Sequence, residues 1–295
     1  MTDLLSLVLV LRPLPLADPP KEAPFWWGRA AHALLLRTVR SYNPAASEEL
    51  HSDNGRRPFT ASTLFDRSRG PQGEQACLRL TAFEGKLAGL LLESSAPGGV
   101  LAPGKLVELD DRPFEILRTA AAPEDHPWAS RGAYGELAAR RLVSQGAPPR
   151  QLALQLASPT AFKSQERHQP LPLPELVFGS LLERWNLYAP VAFPSELRRY
   201  AAECLAISRF DLHSRRVPGN GGGVRIGAVG TVTYTTLTYD RYWMSLLHTL
   251  AAFACYAGVG AGTTSGLGQC RAVSGTAEAD SASAGLAADS LDPDA

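Results

Sequence analysis

The alternation of strand-like and helix-like segments starts twice along this chain, and that restart constrains the fold more than any other feature. The apolar run Leu4–Leu11 ends at the proline-rich stretch Arg12–Pro20, so a buried first strand leads into a loop. Trp26, Ala30, Ala33, Leu34 and Arg37 then recur at helical spacing and predict a helix from about Phe25 to Ser41, with a short second helix, Ala45–His51, after Pro44. Segments 76–93 and 104–118 read as strands, Glu136–Gln145 as a helix and Gly146–Pro149 as an interdomain linker. The pattern begins again with the alternating strand Gln151–Leu156, followed by helices over Pro174–Leu187 and Ser195–Leu205. Gly219–Gly223 is a turn before the strand-like segment Val224–Tyr239, rich in Val, Thr and Tyr. Arg241–Ala257 places Tyr242, Leu246, Leu250, Phe253, Ala254 and Ala257 on one helical face, Gly258 caps it, and Leu267–Val273 is a final strand. Two such units in succession predict an α+β protein built from tandem ferredoxin-like (RNA-recognition-motif-like) domains over 1–146 and 150–273. The second carries a C-terminal glycine-rich loop. Residues 274–295, a stretch of Ala, Ser, Asp and Gly, cannot bury a core and read as a disordered acidic tail.

Several function classes drop out early. Leu4–Leu11 is far shorter than the roughly 20 apolar residues of a membrane span, and it lacks the basic start and cleavage site of a signal peptide. A soluble, cytoplasmic protein without membrane partners is expected. Cys77, Cys204, Cys255 and Cys270 are widely spaced, and no Asp, Glu, His or Cys grouping has ligand spacing, so neither a metal nor another cofactor is expected. The four cysteines read as small apolar fillers. The net charge of zero conceals two unlike parts. Beyond Ser274 there are five acids (Glu278, Asp280, Asp289, Asp292 and Asp294) and no Lys or Arg; the rest holds 29 basic against 24 acidic side chains, a net of +5. Only Lys21, Lys86, Lys105 and Lys163 are lysines, so the positive charge is mostly guanidinium, which suits bidentate phosphate contacts.

Between the last helix and the last strand lies Gly258-Val-Gly-Ala-Gly-Thr-Thr-Ser-Gly-Leu-Gly268. Glycine reaches positive φ and lets a ligand approach backbone N–H groups, so such a loop suits a phosphate; a flexible connection with no ligand is the other reading. A Walker A loop is excluded, because no lysine follows a glycine and the helix precedes the loop. Dinucleotide fingerprints need the reverse order, strand, glycines, then helix. Gly262-Thr-Thr-Ser265-Gly266 is not the G-x-S-x-G of a nucleophile elbow.

The loop resembles that of the CRISPR-associated repeat endoribonucleases, the Cas-six family of the RAMP superfamily. There, two glycine–hydrophobic–glycine units are separated by five residues. Here they are Gly258-Val259-Gly260 and Gly266-Leu267-Gly268. Ser158–Phe162, Leu171–Pro174 with Trp185-Asn186, the hairpin around Gly227–Tyr234, and Leu50-His51 followed by Arg57–Ser62 are similar too, so the likeness covers most of 1–273. Family loops usually carry a Lys or Arg among the five central residues. Ala261–Ser265 has none, and Arg271 or a nearby arginine is expected to replace it.

The resemblance implies metal-independent cleavage of precursor crRNA, with the 2′-hydroxyl attacking the adjacent phosphorus to leave a 2′,3′-cyclic phosphate and a 5′-hydroxyl. It implies repeat RNA and crRNA as partners, with retention of the product among other effector-complex subunits. Such chemistry needs a proton acceptor, a proton donor and a cation, and histidine is the natural proton carrier near neutral pH. His51, six residues before Arg57, is the first catalytic candidate, with Arg57 offsetting phosphate charge and His32 able to approach the same site. The family's tyrosine some fifteen residues before that histidine is absent; Leu36 stands there. His248 reads as structural, and His126, His168 and His213 as solvated. RNA contacts are expected from Arg56, Arg215, Arg216, Arg225 and Arg271, and from Gly258, Gly260, Gly262, Thr263, Thr264, Ser265, Gly266 and Gly268 of the loop. The uncharged loop centre and missing tyrosine keep open a non-catalytic RNA-binding subunit of a CRISPR surveillance complex. A two-domain protein binding a small anion at the loop is a further alternative.

Overall fold

A computed structural model describes residues 2–16, 26–52, 57–70, 73–164, 167–219 and 223–273, without side chains at 51, 52, 69, 70 and 164. Arg56, the tail 274–295, most of the glycine turn 219–223 and the expected helix start at Phe25 lie outside these residues. The chain divides into two compact units, Met1–Ala133 with Thr263–Gly266, and Tyr134–Gly262 with Leu267 onwards.

In the first unit, β1 (Leu4–Pro13) is central, pairing antiparallel with β4 (Gly73–Ala82) on one side and β6 (Arg112–Ala120) on the other. Its first eight residues are all buried, which is why the sequence runs apolar without alternating. Ser6, the polar exception, donates its hydroxyl to Trp128 O at 2.6 Å. The sheet order is β2-β4-β1-β6-β5, with β2 at Phe59–Ala61 and β5 at Leu106–Leu109; β3 (Phe65–Gly70) and β7 (Ser130–Gly132) pair with β4 and β1. Helices α1 (Gly28–Tyr42) and α3 (Gly85–Ser95) bury Ala31, Leu35, Val39, Leu87, Ala88 and Leu91 in the same core as β1, while α2 (Pro44–Ser52) follows α1.

The segment 76–93, expected to be strand throughout, changes type at Phe83. Glu84 is extended and its carboxylate accepts the N–H groups of Lys86 and Leu87 at 3.0 Å, so a capped helix replaces the strand's second half. The short apolar run Leu87–Leu92 fits either period, and the cap decides it.

The second unit begins with α4 (Tyr134–Leu142), whose Tyr134 packs edge-on to Trp185 and beside Phe253. Then come β8 (Gln151–Thr160), a small hairpin of β9 (Phe162–Ser164) and β10 (Arg167–Gln169), and α5 (Pro174–Tyr188). Next are α6 (Leu197–Cys204), β11 (Leu205–Pro218), β12 (Val224–Thr236), α7 (Arg241–Ala257) and β13 (Cys270–Val273). The sheet order β11-β12-β8-β13, all antiparallel, is that of a ferredoxin-like βαββαβ unit. In the first unit β1, β2, β4 and β6 take the same order, so the doubled α+β fold is present. The sequence missed β11, whose fourteen residues are mostly exposed and show no clean apolar alternation. The last strand starts at Cys270, because Leu267–Gln269 belongs to the loop closure. No helix among the described residues is long and apolar enough to cross a membrane.

Candidate nucleic-acid interface

Asp240 caps the start of α7 by accepting the Trp243 N–H, and the helix ends at Gly258, whose φ of +61° turns the chain into the glycine loop. Within the second unit the loop is tied down on all sides. Arg184, on α5, donates from Nη1 to Gly258 O at 2.9 Å and from Nη2 to Gly260 O at 2.6 Å. Ser180, one turn earlier, accepts the Gly260 N–H at 3.1 Å. Ala261 N–H reaches Ala161 O, Gly268 N–H reaches Pro159 O, and Val259 N–H closes the loop on Gly268 O at 2.8 Å. Gly260 sits at φ +74°, where an added Cβ would lie 2.4 Å from Ala161 O.

At its two ends the loop spends its amides on the protein itself. The N–H groups of Gly258, Val259, Gly260, Ala261, Leu267 and Gly268 all bond to protein carbonyls or to Ser180. The glycines serve close backbone packing there. The same contacts explain why Ser158–Phe162 accompanies the loop in sequence: it is the strand end that receives it.

The tip, Thr263–Gly266, packs within the first unit. Gly266 bridges Ser62 beyond β2, and Gly28 at the start of α1 lies so near that a Cβ on it would be 1.9 Å from Ser265 O. One turn along α1, His32 Nδ1 is 2.9 Å from Thr264 O, and its ring lies 5.4 Å from that of Phe59. A carbonyl only accepts, so Nδ1 carries the proton, and in the neutral ring the basic lone pair is on Nε2. The fold thus brings His32 to the loop. His51 lies in the last turn of α2, with its side chain outside the described residues; Arg57 is half-buried two residues before β2.

The cations expected to meet RNA lie on β11 and β12, paired as Arg215↔Gly227, Arg216↔Ile226 and Val217↔Arg225. Arg216 is exposed, Arg215 and Arg225 are half-buried, and Phe210 is 68% exposed on the same strand as Arg216. Arg271, half-buried on β13, donates from Nε to Gln155 Oε1 at 2.7 Å on β8.

His126 corrects the expectation of a solvated histidine, being 5% exposed. Its Nε2 lies 3.7 Å from Cys77 Sγ and 3.6 Å from Asp66 Oδ2, a grouping of metal-ligand types with no sequence spacing to betray it. The residues do not fit a metal, because His126 Nδ1 accepts the Trp128 N–H at 3.1 Å. The neutral ring therefore holds its proton on Nε2, the atom a metal would require. Burial, reinforced by the Asp66 charge, pushes the Cys77 thiol up to about 12 and leaves it inert. His248 Nε2 bonds Pro149 O at 2.9 Å, and burial holds its pKa down, consistent with a structural histidine.

Comparison with known proteins points in one direction. The family model for the CRISPR-associated endoribonuclease Cas6 matches residues 154–270. A solved Cas6 product complex is 30% identical, covering 93% of this chain and 100% of that one, with a TM-score of 0.71. A Thermus thermophilus Cas6 product complex is 26% identical over 92% of this chain and 100% of that one, with a TM-score of 0.73. A Cas6-related protein from Pyrococcus furiosus, 14% identical over 92% of this chain and 100% of that one, shares the fold at a TM-score of 0.53. A search of curated proteins gives no match.

Proposed function

The chain belongs to the Cas6 family of CRISPR-associated endoribonucleases, and from that premise we propose that it cuts CRISPR repeat RNA without a metal and keeps the crRNA product for an effector complex. The nucleophile is part of the substrate. A base takes the proton of the 2′-hydroxyl, O2′ attacks phosphorus, the P–O5′ bond breaks, and an acid protonates the departing O5′. The products are a 2′,3′-cyclic phosphate and a 5′-hydroxyl. His51 and His32 are the proton carriers in this reading, with Arg57 and Arg56 offsetting charge on the pentacovalent phosphorus.

The observation that carries the proposal is the hydrogen bond from His32 to the Thr264 carbonyl. It holds an imidazole at the tip of the loop whose two glycine–hydrophobic–glycine units mark the family, with the tautomer fixed. The test is incubation of the purified protein with its own repeat RNA in EDTA. Cyclic-phosphate ends should form, and His51→Ala and His32→Ala should each slow cleavage by about 100-fold or more. Cleavage that survives both substitutions would remove the histidines from the mechanism. Tight binding without any cut would make this member the RNA-binding subunit that its uncharged loop centre also fits.

A further inference from the structure

Beside the glycine loop, wholly within the second unit, a small pocket open to solvent is lined by Pro159, Ala161, His168, Arg225, Gly227 and Leu267 among others, and none of its lining residues among the described ones is an acid. Arg225 enters from β12. Its Nη1 lies 3.1 Å from the place a Cβ on Gly262 would take, and such a Cβ would also meet Leu267 Cδ1 at 2.7 Å. Gly262 is therefore bare where the guanidinium lies against the loop backbone.

Three arginines around the loop differ in what their guanidinium groups bond. Arg184 is engaged with the carbonyls of Gly258 and Gly260, and Arg271 with Gln155. Arg225 is half-buried and makes no side-chain hydrogen bond or ion pair among the described residues. His168, exposed on β10 at the pocket wall, also has none. A guanidinium drawn partly out of water with its donors unanswered is costly, and an anion answers it. Apolar walls of Pro159, Ala161 and Leu267 lower the local dielectric and strengthen that attraction.

We propose that Arg225 and His168 form a subsite for one phosphodiester of the bound RNA, bringing to the glycine loop the positive charge that Ala261–Ser265 lacks. The proposal rests on the RNA-processing reading above and gives it a phosphate contact outside the loop itself. A phosphodiester fits because it offers one negative charge and two acceptor oxygens to the guanidinium fork. Pocket and cation come from different strands, β12 and the β9–β10 hairpin, so no single motif encodes them.

The test is fluorescence anisotropy with the protein's own repeat RNA across a KCl series. Arg225→Ala should weaken binding about tenfold and lower the slope of log affinity against log salt by about one, whereas Arg225→Lys keeps the slope. His168→Ala should weaken binding about threefold. Replacing RNA phosphates one at a time with neutral methylphosphonates should locate one position that costs wild type affinity and costs Arg225→Ala nothing. Unchanged affinity, slope and phosphate profile in Arg225→Ala would overturn the subsite while leaving RNA processing intact. If wild type binds no repeat RNA, the broader reading fails and calorimetry with inorganic phosphate decides the pocket. Heat lost in Arg225→Ala retains it; equal heat, or none in either, ends it.

Discussion

Gly258–Gly268 and the β11–β12 hairpin both carry the sequence marks of an RNA contact, and the fold uses them in opposite ways. The amides at the loop's two ends, 258–261 and 267–268, are spent on protein acceptors, its carbonyls at 258 and 260 are gripped by Arg184, and Gly258, Val259, Gly266, Leu267 and Gly268 are buried. The hairpin has long registered pairing but little burial, and it presents Arg216, Phe210 and His213 to solvent. Glycine permits close approach, and close approach serves packing as readily as ligand binding. Charge on an exposed strand stabilises little. Stability should reside in the first region and phosphate affinity in the second.

The largest effect expected from this contrast is on Gly28→Ala. Its Cβ would be 1.9 Å from Ser265 O and 2.5 Å from Ser265 C, backbone that cannot rotate away, so unfolding in denaturant should lose on the order of 3 kcal/mol. Gly89→Ala is the counterpart: it sits mid-α3 with nothing within 4 Å of the added methyl, and it should gain about 0.5–1 kcal/mol. If the two variants unfold at the same midpoint, the loop tip is not held as described.

A smaller effect, seen in binding alone, is expected from Arg215→Ala combined with Arg216→Ala. The salt slope for repeat RNA should fall by about two, while the unfolding midpoint stays within about 0.5 kcal/mol of wild type. A clear loss of stability would place the hairpin with the loop and erase the distinction.

The sequence shows most of the fold because its two βαββαβ units alternate apolar runs with Gly and Pro breaks, and both central strands, β1 and β8, stand out in it. It misses β11 because an exposed edge strand needs no apolar pattern, and it misreads 84–93 because the side-chain cap of a single glutamate outweighs a short apolar run. The site is less legible. His32 is brought to Thr264 across 232 residues, and the Asp66, Cys77 and His126 grouping likewise has no local signature. The glycine spacing reveals the family, but which amides are spent depends on Ser158–Phe162 and Ser180, whose partners become visible only once β8 and α5 are folded.

The smallest expected effect tests whether the helix leading into the loop is as firmly packed as the loop. His248 lies on α7 with its Nε2–H given to Pro149 O, and burial, opposed by that bond and aided by Arg141, lowers its pKa from 6.5. The folded state then binds this proton less readily than the unfolded chain, so the contribution of His248 is complete above the unfolded pKa and is lost as pH falls through and below 6.5. Denaturant midpoints measured from pH 7.5 down to 5 should decline. His248→Gln keeps a donor for Pro149 and cannot titrate, so its midpoints should decline less steeply over the same range. Identical slopes in the two proteins would mean that α7 opens enough near Pro149 to hydrate the imidazole, and the rigid region would then begin no earlier than Gly258.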